Sequence, residues 1–152
     1  MRRFRTLCAI VALFVVATVV AACSAGAPAT EAAPSISDAW VRVAPVGADS
    51  AAYFTITNPG TTADMLQSVA ATDATMAQLH QTSTDTTTGM TGMTGMDGLE
   101  IAPGATVTLA PGGTHVMLMG ITRAFTAGAS VELRLTFEHA GTITIIASAR
   151  QG

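Results

Sequence analysis

What most limits the folds open to this chain is its punctuation. From residue 36 onward, short alternating runs are cut repeatedly by proline and glycine. Residues 36–43 end at Ala44-Pro45, and residues 51–57 alternate and stop at Asn58-Pro59-Gly60. Further strand-like runs cover residues 64–69, 76–80, 99–101, 106–109 and 114–121, with breaks at Pro103-Gly104 and Pro111-Gly112-Gly113. Residues 130–138 and 142–148 flank His139-Ala140-Gly141 as a hairpin. Proline and glycine clusters end strands, and no stretch here sustains a helical period. Eight or nine short strands predict an all-β domain, a sandwich or Greek-key barrel. Trp40, Tyr53 and Phe54 are expected to be structural, and Met65 and Met76 to fill the core.

One tract escapes the strand pattern. Residues 84–98, TDTTTGMTGMTGMDG, carry three copies of Thr-Gly-Met. So much glycine and so little apolar alternation predict a mobile loop.

The N-terminus is read as an address. Residues 1–22 have a basic start (Arg2, Arg3, Arg5), an apolar run and small residues, the pattern of a secretory signal peptide. Val20-Ala21-Ala22-Cys23 resembles a bacterial lipobox, in which Cys23 becomes the lipidated first residue. Acyl chains there would hold the protein at the outer face of a membrane, in the periplasm or at the cell surface. Residues 23–35 read as a flexible tether and residues 36–150 as one domain. Beyond the leader the chain has no lysine and four arginines against ten acids, a net charge of −6. Such a surface argues against nucleic-acid binding and suits cations or a basic partner. The other cysteine, Cys8, lies in the leader, so the folded part has no thiol for a disulfide or a blue-copper site.

The candidate chemistry lies between His80 and Met119, which holds two of the three histidines and five of the eight methionines. In His115-Val116-Met117-Leu118-Met119, strand alternation puts His115, Met117 and Met119 on one face and Val116 and Leu118 on the other. His80, at the end of a predicted strand, and the methionine tract could approach the same point. Imidazole and thioether together suit a soft ion, copper(I) above all. A site of neutral ligands should hold Cu(I) yet release it by ligand exchange, and its affinity should fall as pH drops through the imidazole range. No catalytic set or phosphate loop is present, so no enzyme is expected.

Met93, twenty-one residues, His115, one residue, Met117 resembles the H-(M)-x10-M-x21-H-x-M pattern of the PCu(A)C family of periplasmic copper chaperones. The segment LAPGGTHVMLMG (residues 109–120) is similar to nearly the whole family block, and Trp40-Val41-Arg42 and Ala51-Ala52-Tyr53-Phe54 to its opening strands. The resemblance implies a cupredoxin-like β-sandwich that binds one Cu(I) through His80, Met93, His115 and Met117. It implies delivery to the copper centre of cytochrome c oxidase, alongside Sco-type proteins; a copper-scavenging or storage lipoprotein is the alternative. The first gap is one residue longer than the family's, Gln81 stands where an extra Met can stand, and Thr94 replaces a basic residue. Met90 and Met96 are therefore alternative loop ligands, with Met119 a further candidate. Met93 keeps the downstream spacing.

Overall fold

The alternating runs become ten strands. A computed structural model describes residues 32–84 and 86–152; the leader, Cys23 and residues 24–31 of the tether lie outside the described residues. The strands are β1 (Ser35–Arg42), β2 (Ser50–Thr57), β3 (Asp64–Ala71), β4 (Ala74–Thr84), β5 (Thr91–Gly95), β6 (Leu99–Ile101), β7 (Thr106–Thr108), β8 (Thr114–Ile121), β9 (Ser130–Phe137) and β10 (Gly141–Arg150). They follow the order β5-β4-β8-β2-β1-β10-β9-β3-β6, with β7 also paired to β2. Among the described residues only β1 and β10 pair in parallel.

Chain connectivity forces this sheet to fold over. Strands β3 and β4 are joined by Thr72 and Asp73 alone, yet stand near opposite ends of the order. The two edge strands, β5 and β6, are separated only by residues 96–98. A flat sheet meets neither constraint, so two layers face each other across one core. Phe54, Leu66, Leu118, Phe125, Leu133 and Leu135 are fully buried there. Each contributes about 1.5–3 kcal/mol by leaving water.

A bulge in β1 shapes the outer face near the site. The β1–β2 register shifts between Ser37 and Trp40, where Asp38 adopts φ 54°. Aspartate tolerates this left-handed conformation better than most residues. Beyond the bulge Trp40 pairs with Tyr53, their ring centroids 4.4 Å apart, and the Arg150 guanidinium lies 4.1 Å over the indole.

Three expectations need correction. The Thr-Gly-Met tract is not all loop: residues 91–95 form β5, paired to β4 from Thr84↔Thr91 to His80↔Gly95. Threonine favours the pleat, and β4 runs on far enough to supply the ladder, so tertiary pairing overrides the glycine content. Met76 is not core but 58% exposed, and Met65 is only half-buried. Met65 lies between buried Asp64 and Leu66, and Met76 is on the side of β4 opposite buried Leu79; composition alone cannot tell which side is covered.

Candidate metal centre

Strand β8 is the foundation. Val116 and Leu118 are fully buried in the core, so His115, Met117 and Met119 project from the other face. Strand β4 lies beside it in register: His80 opposite His115, Gln78 opposite Met117, Met76 opposite Met119. Strand β5 lies beyond β4, with Gly95 opposite His80 and Met93 opposite Thr82. Side chains of directly paired residues share a face, so His80, Met93, His115 and Met117 all belong to one. Strands sit about 4.8 Å apart and same-face neighbours about 7 Å along a strand; Met117 stands one step to one side of the histidine rung and Met93 one step to the other, so the four occupy a patch roughly 10 Å by 14 Å.

The two imidazoles meet edge to face, ring centroids 5.9 Å apart. Tyr53 flanks His115 at 6.3 Å. His115, Met117, Met93, Thr82 and Tyr53 line a cavity of about 360 Å³, which Arg42 and Asp49 also border. His80 stands outside that lining, against His115.

Hydrogen bonds decide which ring nitrogens are free. His115 Nδ1 lies 3.1 Å from the Gly113 carbonyl. A carbonyl only accepts, so Nδ1 carries the proton and Nε2 keeps the lone pair. His80 Nε2 lies 3.2 Å from Gln78 Oε1, again an acceptor, so here Nδ1 keeps the lone pair. That His80 Nδ1 is buried and, among the described residues, is the one buried side-chain nitrogen or oxygen without a partner. Gln78 is seated by Gly95: a Cβ there would lie 3.0 Å from Gln78 Nε2.

Other candidates are sorted by the same pleat. Met96 packs against the core, with its N–H bonded to the Leu79 carbonyl. Met90 is 70% exposed in the β4–β5 turn. Met119 shares the face but stands one rung beyond Met117. Gln81 points away, and accepts a hydrogen bond from Thr114 Oγ1 at 2.5 Å. His139 is held at a different corner by Asp64, Nδ1 to carboxylate 3.4 Å. Among the described residues no three of His, Cys, Asp and Glu cluster, so a closed site of hard or thiolate ligands is not formed. The donors that do gather are two imidazoles and thioethers, which fit a soft ion. Sequence reasoning missed Gln78 and the part Tyr53 takes in the cavity wall. The alternation of residues 76–80 held the signal for Gln78, since it places Gln78 beside His80.

A family model described as "Putative lipoprotein LpqE-like" matches residues 35–148. The chain belongs to the LpqE-like family. Among solved structures it is similar to a copper-bound PCuAC domain from PmoF2, with 28% identity, TM-score 0.66, and 80% of this chain and 95% of that one covered. It is also similar to the CuI form of DR1885 from Deinococcus radiodurans, with 34% identity, TM-score 0.58, and coverage of 77% and 79%. No match is found among curated proteins. The resemblance to PCu(A)C domains read in residues 36–148 is borne out, and with it the cupredoxin-like all-β fold.

Proposed function

We propose that this LpqE-like chain is an extracytoplasmic copper(I) chaperone that carries one ion and is not an enzyme. Both matched domains are described as copper-bound or CuI forms, which supports copper as the cargo. The ligands we assign are His80 through Nδ1, His115 through Nε2, and the sulfurs of Met93 and Met117. The observation that carries this reading is the buried, unpartnered Nδ1 of His80 beside His115. A buried polar atom without a partner costs about 1–3 kcal/mol, and a bound ion would offset it.

The mechanism follows from how each ligand is held. His115 and Met117 sit on a strand anchored in the core, whereas Met93 is 62% exposed on an edge strand. Met93 can leave first, opening a coordination position that a partner's ligand enters. With neutral donors throughout, the ion would leave as Cu(I), taking its single positive charge with it, with no electron transferred.

The same proposal includes the leader, lipid on Cys23 and the tether of residues 23–35, which would hold the 36–150 domain at the outer face of a membrane. The LpqE-like lipoprotein family supports that placement. Delivery to the copper subunit of cytochrome c oxidase, alongside Sco-type proteins, rests on the PCu(A)C resemblance.

The test is Cu(I) titration of the chain against a chromophoric chelator, with His115→Ala and Met93→Leu beside wild type. One tight Cu(I), weakened in both variants and most in His115→Ala, is the expected result. Affinities unchanged in both would refute the site.

A further inference from the structure

The His/Met face does not stop at Met117. One rung further, Met76 on β4 and Met119 on β8 are directly paired, and their side chains leave the same face as His80 and His115. Met76 is 58% exposed, so gap filling, the usual work of a core methionine, does not account for it. Cross-strand partners have Cβ atoms about 5 Å apart, and flexible thioether stems let both sulfurs reach one ion.

This rung is fixed by its backbone. Thr75 Oγ1 donates to the Met119 carbonyl at 2.9 Å, tying β4 to β8 beside the pair. Gly120, with φ 61°, packs so closely on Thr75 that a Cβ would collide with its hydroxyl. The Gly120 N–H donates to the Asp49 carboxylate at 3.1 Å, and Asp49 also borders the cavity that Met117 lines. A carboxylate at this end raises the local concentration of cations.

We propose that Met76 and Met119 form a second soft-metal subsite, taking Cu(I) or Ag(I) through thioether sulfur, with Met117 as the link to the histidines. Its role as a staging point rests on the primary site being His80, Met93, His115 and Met117; its capacity to bind does not. Transfer inward is ligand exchange: the ion gains Met117 sulfur, then the free lone pair of His115 Nε2, as its bonds to Met76 and Met119 break. The metal keeps its charge, and no proton or electron moves. Thioethers alone bind more weakly than a site with two imidazoles, so this subsite should fill second, with affinity lower by about tenfold or more.

The test is Ag(I) titration, in chloride-free buffer, of the full chain carrying 13C-methyl methionine. Met93 and Met117 methyl signals should move over the first equivalent, and Met76 and Met119 together over the second. Met76→Leu with Met119→Leu should abolish the second step and leave the first. Met90, more exposed than Met76 and in a turn, is the internal control for indiscriminate sulfur binding. Stationary Met76 and Met119 methyls, a second step that survives the double variant, or Met90 moving in parallel would overturn the subsite. A missing first step with an intact second would instead refute the primary site.

Discussion

Two cavities of nearly equal size, about 360 Å³ beside His115 and about 350 Å³ beside Asp64, lie at different corners of this domain. Each abuts a buried polar side chain and a histidine. At the Asp64 corner every requirement is met from within: the carboxylate accepts N–H bonds from Met65 at 2.8 Å, His139 at 2.9 Å and Ala140 at 3.1 Å. Asn58, on the same cavity wall, donates to the Thr62 and Ile101 carbonyls and accepts from the Gly60 N–H. At the His115 corner, His80 Nδ1 is left without a partner. A saturated polar cluster is structure, whereas an unsaturated one faced by further donors is a place for a ligand. Volume does not separate the two corners; hydrogen-bond satisfaction does.

The comparison breaks most visibly if the two corners respond alike to substitution. His80→Ala should lower Cu(I) affinity by more than about 100-fold, beyond the 10–100-fold typical of outer-shell partners. The same change should lower stability by less than about 1 kcal/mol in urea denaturation, because it removes one exposed hydrogen bond. Asp64→Ala should do the opposite. It strands three backbone donors and destabilises by about 2–3 kcal/mol, while chelator competition shows Cu(I) affinity within about twofold of wild type.

Smaller effects sharpen the contrast. Gln78→Leu removes the acceptor that keeps the proton on His80 Nε2, and should weaken Cu(I) binding about tenfold. Gln78→Glu, which keeps an acceptor, should restore affinity in the same titration. The smallest effect is on pH dependence. Burial pushes the Asp64 carboxyl upward, but N–H bonds from His139, Met65 and Ala140 and the His139 side chain outweigh it and hold the group below its ordinary 3.8. A carboxyl lowered by folding contributes stability above that ordinary value, and the contribution is lost as pH falls through the folded value. Wild-type denaturation midpoints should therefore drop below about pH 4, more steeply than those of Asp64→Asn.

Much of the site was legible because strand alternation is strict. His115-x-Met117 on one face, with Val116 and Leu118 behind, follows from a period of two. What hid β5 was a repeat of period three laid on that period of two. Residues three apart fall on opposite sides of a strand, so Met93 faces the histidines while Met96 turns to the core. A Gly-rich repeat looks like loop until a long neighbour such as β4 offers it a ladder. Met76 and Gln78 were obscured differently. Alternation shows that they share a side with His80, but nothing local says whether that side is covered or open. Tyr53 was expected to be structural on its aromatic character, yet the bulge at Asp38 and the pairing with Trp40 place it in the cavity wall.

The most direct measurement is a long-range 1H–15N spectrum of the histidine rings before and after one equivalent of Cu(I). Without metal, His80 should appear as the Nε2–H form and His115 as the Nδ1–H form. On loading, His80 Nδ1 and His115 Nε2 should shift while both His139 nitrogens stay still. A shift at His139, or rings at His80 and His115 that do not respond to copper, would contradict the account.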